Sequence, residues 1–150
     1  TSPGLVYSVG CPPPVAAAAL SAITMMQEEA WRLQKLRENG QYFLAGAKAR
    51  GFDTGLSIGA SVVPIIVGSS PATVILSHRL QDRGYNVVPI IFPGVAENQS
   101  RLRFFITSRH SPQQIDGALD AVAEELPKVM NSPSFVSLIA GRHSPDVAQS

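Results

Sequence analysis

The stretch SRLRFFITSRH, residues 100–110, alternates between two kinds of side chain, and this alternation constrains the fold more than any other feature of the sequence. Successive side chains of an extended strand point to opposite faces of a sheet. The stretch therefore predicts a strand with one core face. Two guanidinium groups on the other face indicate either a solvated strand edge or a site that needs a fixed positive charge. The core face carries Leu102, Phe104 and Ile106, and the other face carries Arg101, Arg103, Phe105 and Thr107.

The segments before this strand predict helices and two further strands. Strong helix formers fill residues 15–51, and we expect a break near residues 27–30 because so long an uninterrupted helix is unusual. Apolar runs at residues 60–68 and 86–94 predict the two strands. Pro64 lacks a backbone N–H, so the first of these strands must lie at a sheet edge or contain a bulge.

Capping signals predict where two more helices begin. Ser70 is a candidate N-cap residue, and Pro71 suits the first helical position. Ser111 and Gln114 have the spacing of a capping box, and apolar side chains recur every three or four residues from there to residue 126, so this helix is expected to end before Pro127. The order of elements is helix, strand, helix, strand, strand, helix. This order predicts an α/β domain with a small, mostly antiparallel sheet covered by helices on one face.

Composition argues against several classes of partner. A chain of 150 residues is long enough for one domain with a hydrophobic core, and its formal net charge of +1 argues against nucleic acid as the main partner. The single cysteine, Cys11, cannot form an internal disulfide. No apolar run approaches the ~20 residues that span a bilayer. We therefore expect a cytoplasmic protein without a membrane span.

The residues that usually carry catalysis are scattered along the chain. His78, His110 and His143 lack the spacing of metal ligands, and Cys11 has no paired base in view. We expect a surface or packing role for His78 and a local structural role for His110. No glycine-rich phosphate loop or dinucleotide fingerprint is present. Alone, the chain carries no complete active site.

The two arginines of residues 100–110 leave two interpretations open. In the first, both lie along a solvated strand edge. In the second, one arginine binds a planar carboxylate through two parallel hydrogen bonds, a geometry that lysine cannot reproduce. Phe105, on the same face of the strand, would partly shield such a pair from water and so strengthen it.

Three segments resemble the C-terminal third of the α-oxoamine synthases, which are pyridoxal-phosphate-dependent acyltransferases with the aspartate-aminotransferase fold. This family includes 8-amino-7-oxononanoate synthase, 2-amino-3-ketobutyrate CoA ligase and serine palmitoyltransferase. The segments stand in the family's order and together cover roughly residues 4–127. They are LVYSVGCPPPVAAAALSAI, VVPIIVG with the helix that follows it, and VVPIIFPGVAENQSRLRFFITSRHSPQQID. The resemblance implies the C-terminal part of that fold and a homodimeric enzyme.

The resemblance also implies roles for two residues. Arg103 stands where the family's arginine binds the α-carboxylate of the amino-acid substrate, whereas Arg101 is expected to be structural or solvent-facing. Ser8 stands in the segment that reaches the cofactor phosphate of the partner subunit. Val9 replaces a threonine that is common there, and FPGVAEN departs from the family's usual proline loop at the substrate entrance. The second substrate would be an acyl thioester of coenzyme A or of a carrier protein.

The family's Schiff-base lysine lies in an H-[ST]-x-x-K segment upstream of the matched region, so we expect this chain to be a fragment. Its three lysines, in predicted helices, are expected to be solvated; they are Lys35, Lys48 and Lys128. An alternative is a non-catalytic ligand-binding or regulatory module that keeps the fold without the lysine. The expected divisions are the end of a missing large domain, a linking helix or kinked helix pair, the small C-terminal domain and a tail or linker, at residues 1–12, 13–51, 52–130 and 131–150.

Overall fold

The structure is a computed structural model that describes residues 11–132. Within this range the chain forms an α/β domain of four helices and three strands. The helices are α1 (Pro13–Glu28), α2 (Ala30–Ala49), α3 (Ser70–Asp82) and α4 (Pro112–Met130). The strands are β1 (Val62–Ile66), β2 (Val88–Ile90) and β3 (Arg101–Phe105), and a 3-10 turn at Glu97–Gln99 precedes β3.

The three strands form one antiparallel sheet in the order β1-β3-β2. Each outer strand carries an interior proline, Pro64 in β1 and Pro89 in β2. Both strands lie at edges of the sheet, where the missing N–H of proline need not break a ladder on both sides. The expected edge position of Pro64 is confirmed. The central strand, β3, has no proline and pairs with both neighbours.

One face of the sheet packs against α2 and α3, and α4 packs against these two helices. The alternation of β3 sets that face. Leu102 is fully buried, and Phe104 contacts Phe43 of α2 with ring centroids 4.9 Å apart. Arg103 and Phe105 are exposed on the opposite face. The antiparallel sheet with helices on one face is therefore confirmed. The largest fully buried apolar side chains around it are Phe43, Ile65, Leu76, Leu80, Leu102, Leu119, Val63, Val122 and Val129.

The helical region before the sheet breaks where the sequence predicts. Glu29 leaves the helical conformation (φ −115°, ψ 54°) between α1 and α2. Helix α2 then packs closely on the loop before β1, because Gly40 has no side chain. A Cβ at Gly40 would lie 2.3 Å from the carbonyl oxygen of Gly59. Gly40 therefore fixes the distance between α2 and this loop.

The boundaries of three elements differ from the sequence-based expectation. Ser70 is the first residue of α3 and Ser69 is its N-cap, one residue earlier than expected. The strand expected at residues 86–94 shortens to β2, because a turn at residues 91–94 diverts the chain. Helix α4 continues through Pro127 to Met130, where Val129 is fully buried. The capping box of Ser111 and Gln114 is confirmed by both of its reciprocal hydrogen bonds.

Candidate functional site

The candidate site is the face of the sheet opposite the helices, here called the open face. Arg103 lies at its centre, since its Cα pairs with Pro64 of β1 on one side and Val88 of β2 on the other. Phe105 is 51% exposed and Val88 37% exposed. Strand pairing on both sides fixes the backbone of β3, so the direction in which the Arg103 side chain leaves the sheet is fixed as well.

The guanidinium of Arg103 stacks on the ring of Phe105, with Cζ 4.9 Å from the ring centroid. Among residues 11–132 it has no carboxylate within ion-pair distance and no hydrogen-bond acceptor. Other arginines differ, because Arg50 pairs with Asp120 at 2.6 Å and Arg83 pairs with Glu124 at 2.6 Å. Arg103 is therefore a cation that lies over an aromatic ring and has no internal counter-ion among the described residues.

Arg101, on the same face of β3, is held by a neighbour in sequence. Its Nε donates to the carbonyl oxygen of Gln99 at 2.8 Å, and its Nη2 donates to Gln99 Oε1 at 3.3 Å. These bonds occupy part of its donor fork. The two arginines of the strand thus differ in how many N–H donors remain free to bind a ligand, and Arg103 is the better placed of the two.

Neither of the two histidines within residues 11–132 adds a catalytic group to the open face. The Nδ1 atom of His110 accepts a hydrogen bond from the backbone N–H of Thr107 at 3.2 Å. The carbonyl oxygen of His110 accepts another from the Asn39 side chain at 2.8 Å. His110 therefore closes the turn between β3 and α4, which is the local structural role that we expected. His78 is exposed on α3.

The three lysines all lie on helices. Lys128 Nζ contacts Glu125 Oε1 at 2.8 Å, Lys35 lies 4.0 Å from Glu38, and Lys48 is exposed. Since none of them is on the sheet, residues 11–132 place no amino group on the open face beside Arg103. No cluster within this range has the His, Cys, Asp or Glu side chains to hold a metal ion.

Beside the sheet, Ser70 forms a hydrogen-bond network with hydroxyl and carboxylate groups that the sequence analysis did not predict. Ser70 Oγ lies 2.9 Å from Glu97 Oε2 and 2.9 Å from Ser100 Oγ, and it accepts a hydrogen bond from Phe92 N at 3.3 Å. These contacts tie the loop before β3 to the first turn of α3. The four residues are separated by up to 30 positions in the chain, so no local pattern could indicate their contact. The only local indication of a polar contact is the run of polar residues ENQ at positions 97–99.

Helix α1 presents a second unusual surface, because every one of its residues is exposed. Its apolar side chains include Leu20 at 67% and Met26 at 68% exposure. A groove of about 450 Å³ lies between α1, α2 and residues 106–108, and Met25, Met26 and Leu33 are among the residues that line it. An apolar surface of this extent is typical of a face that another part of a protein covers. None of the four helices within residues 11–132 has an apolar stretch that could span a bilayer.

Three residues named in the sequence analysis, Ser8, Val9 and His143, lie outside the described residues, and so do residues 1–10 of the division expected at residues 1–12.

Comparison with known protein families gives one match that spans most of the chain. The family described as aminotransferase class I and II matches residues 2–122. The 8-amino-7-oxononanoate synthase of Symbiobacterium thermophilum is 39% identical over 119 residues, which are 79% of this chain and 30% of that protein. The enzyme of the same name from Methylococcus capsulatus is 36% identical over 82% of this chain and 32% of its own length. The chain thus spans about a third of the length of these curated relatives.

Solved structures share the fold. A serine palmitoyltransferase from S. paucimobilis, solved with a bound PLP–myriocin aldimine, superposes with a TM-score of 0.74 at 23% identity, over 82% of this chain and 31% of that one. An 8-amino-7-oxononanoate synthase from Francisella tularensis gives a TM-score of 0.71 at 20% identity, over 83% of this chain and 36% of that one. At these identities the likeness establishes the fold.

Proposed function

The chain belongs to the class I and II aminotransferase family, and from this premise we propose that it is the C-terminal domain of a cytoplasmic, pyridoxal-phosphate-dependent α-oxoamine synthase. Such an enzyme condenses an amino acid with an acyl thioester. The similarity to 8-amino-7-oxononanoate synthases supports this class over other members of the family. The acyl group would arrive on coenzyme A or on a carrier protein.

We assign to Arg103 the binding of the α-carboxylate of the amino-acid substrate. The observation that carries this assignment is a guanidinium at the centre of the open face, over the Phe105 ring and without an internal counter-ion among residues 11–132. A guanidinium can hold a carboxylate through two parallel N–H···O bonds, which fix the orientation of the bound molecule as well as its position. Such positioning determines which bond at Cα faces the reacting group.

The cofactor would be held mainly by the rest of the enzyme. Pyridoxal phosphate acts as an electron sink for the bonds at the amino-acid Cα when it is bound. Its covalent attachment needs a lysine, and Lys35, Lys48 and Lys128 all lie on helices away from the sheet. We therefore assign the attachment to an H-[ST]-x-x-K segment of the large domain. Ser8 is our candidate for a contact with the cofactor phosphate of a partner subunit.

The exposed apolar face of α1 supports the proposal of a large domain and a homodimer partner. Most helices in proteins are stabilised by packing of an apolar face. Helix α1 has no buried residue, so packing within this domain stabilises it little. Side chains such as Leu20 and Met26 would be covered when the remaining two-thirds of the enzyme is present. This surface is therefore where we place the contact with the large domain.

A non-catalytic module is the second candidate, and the positions of the three lysines favour it. Such a module would keep the fold and the arginine, and would bind a carboxylate without transforming it. The two candidates differ in whether the polypeptide contains an upstream H-[ST]-x-x-K segment and in whether the protein releases a thiol from an acyl thioester.

The experiment that tests the proposal uses the full-length protein with pyridoxal phosphate, one amino acid and one acyl donor. Glycine, L-alanine and L-serine are tried with acyl-coenzyme A and with acyl-carrier protein, and thiol release is followed. We expect release that depends on both the cofactor and the amino acid. If every combination leaves the thioester intact while the protein still binds amino acids, the module is correct and the acyltransferase is not.

A further inference from the structure

We propose that Phe105 is a positioning residue for Arg103: its ring holds the guanidinium in the orientation that receives a substrate carboxylate. This inference rests on the proposed function, in which Arg103 binds that carboxylate. Phe105 touches neither reacting atoms nor cofactor in this role and acts only through the arginine. The observation behind it is the stack of Arg103 on Phe105, with Cζ 4.9 Å from the ring centroid.

The sheet places the two side chains together. Arg103 and Phe105 are two residues apart on β3, so they share the open face and their Cα atoms are about 7 Å apart along the strand. The guanidinium therefore extends along the strand towards the ring rather than straight out into solvent. Phe105 is paired across the sheet with Val62, and Arg103 is paired with Pro64 and Val88. The backbone of β3 is therefore held in register at both residues.

A stack of this kind constrains the guanidinium without occupying its donors. The N–H groups of arginine lie in the plane of the guanidinium, and an aromatic ring under its Cζ accepts no hydrogen bond from them in the way that a carboxylate does. The in-plane edge stays available for two parallel bonds to a carboxylate. A free arginine side chain loses much of its rotamer freedom when it binds a ligand, and a guanidinium already held by a ring loses less. Phe105 would thus lower the entropic cost of binding.

The other arginines of residues 11–132 do not show this combination. Arg32 also stacks on an aromatic ring, with Cζ 4.7 Å from the centroid of Trp31, but it forms an ion pair with Glu29 as well. Arg101 shares the open face but donates to Gln99. Among residues 11–132, the Arg103 guanidinium is the one that is stacked on a ring and has no acceptor.

The test compares Phe105→Leu and Phe105→Tyr in the full-length enzyme, with Arg103 present or replaced by alanine. The dissociation constants of glycine, L-alanine and L-serine are measured from the visible absorption of bound pyridoxal phosphate. Loss of an arginine–ring stack should weaken amino-acid binding about 3- to 10-fold in Phe105→Leu. Phe105→Tyr keeps a ring and should stay within about 2-fold of the parent enzyme. The KM of the acyl thioester should not change in either variant.

The double variant separates a positioning role from a merely structural one. If Phe105 acts through Arg103, Phe105→Leu has no further effect once Arg103 is alanine. An equal loss in both backgrounds, or no loss in the first, overturns the inference. Phe105 is half exposed, so Leu leaves no buried cavity, and Phe105→Met provides a second truncation if Leu lowers the yield. Unchanged amino-acid binding in Arg103→Ala alone would instead contradict the proposed function.

Discussion

At the scale of single residues, Glu125 joins two helices. Its carboxylate lies 2.8 Å from Nζ of Lys128, on its own helix. It also lies 3.0 Å from Nη1 of Arg79, in α3, and 3.4 Å from Nη1 of Arg83, just after α3 ends. The hydrogen bond from Lys128 first, and then the one from Arg79, hold the pKa of Glu125 below its ordinary value of 4.5. The negative charge of Glu125 is thus favoured by folding, because its three cations come together only in the native structure.

This lowered pKa predicts how stability depends on pH. A carboxylate with a lower pKa in the folded state contributes its full stabilisation above the pKa of the unfolded state, near 4.5. The contribution is lost as the pH falls through the lower, folded pKa. We therefore expect Glu125→Gln to flatten the acid side of the stability profile, measured as urea midpoints between about pH 3 and pH 7.

Glu124 provides the matched control for this prediction. It pairs with Arg83 at 2.6 Å but its side chain is 57% exposed, compared with 11% for Glu125. Exposed ion pairs contribute little to stability. Glu124→Gln should therefore leave the acid slope close to that of the parent protein. Equal slopes for the Glu125 variant and the parent would show that the three-cation contact is not formed in solution.

The open face shows which residue properties can be inferred from sequence. The alternation in SRLRFFITSRH is a local property of an extended chain, so it was enough to place Arg101, Arg103 and Phe105 on one face. It could not tell the two arginines apart, because that difference depends on where the backbone and side-chain oxygens of Gln99 and the ring of Phe105 lie. The structure separates them: Arg101 is held by Gln99, and Arg103 lies over the ring.

At the scale of elements, the packing of α2 on the loop before β1 depends on Gly40. A Cβ there would lie 2.3 Å from Gly59 O and 2.6 Å from Ala60 O, both backbone atoms that cannot rotate away. Alanine is the better helix former by about 1 kcal/mol. Overpacking a tight contact costs about 1–3 kcal/mol, and contacts this short belong at the upper end of that range. The clash should therefore outweigh the gain in helix propensity.

We accordingly expect Gly40→Ala to lower the free energy of unfolding by about 1–2 kcal/mol, measured by urea denaturation. Lys48→Ala, on the exposed face of the same helix, is the control and should be nearly neutral. A Gly40 variant that is as stable as the parent would mean that α2 stands further from residues 59–60 than the structure shows.

Sequence patterns predicted the type and order of the elements better than their ends. Proline in β1 was sufficient to predict an edge strand, because a missing N–H has the same consequence in any fold. The end of β2 was not predictable, since the turn at residues 91–94 that ends it is joined to α3 by a hydrogen bond from Phe92 N to Ser70 Oγ, 22 residues away. Helix α4 passes Pro127 because burial of Val129 continues the packing of the preceding turns. Tertiary contacts decided both boundaries.

At the scale of the whole molecule, α1 is the part of the structure with the least support from the rest. All of its residues are exposed, and its large apolar side chains include Leu20, Ile23 and Met26. The chain spans about a third of the length of its curated relatives, and we propose that the remainder covers this helix. The divisions expected at residues 1–12, 13–51, 52–130 and 131–150 stay predictions.

The covered-helix proposal predicts a clear difference between two neighbouring residues. Leu20→Lys in the full-length enzyme would place a charge in the contact with the large domain. This should lower the free energy of unfolding by about 1–3 kcal/mol, which is measured as a fall of several degrees in the thermal midpoint of the enzyme. Ser21→Lys, the adjacent position, tests whether any charge on α1 has this effect. Equal midpoints for Leu20→Lys and the parent would mean that Leu20 is solvated in the full-length enzyme too.

The measurement that bears most directly on the open face is the effect of Arg103→Ala on amino-acid use by the full-length enzyme. A charge-assisted, two-bond contact that is lost on substitution should raise the KM of the amino acid and lower kcat/KM by about 10² or more. Arg101→Ala is the matched control on the same face and should lower kcat/KM by less than about 3-fold, because its guanidinium is held by Gln99. If Arg103→Ala leaves kcat/KM for the amino acid unchanged, Arg103 does not bind the substrate carboxylate.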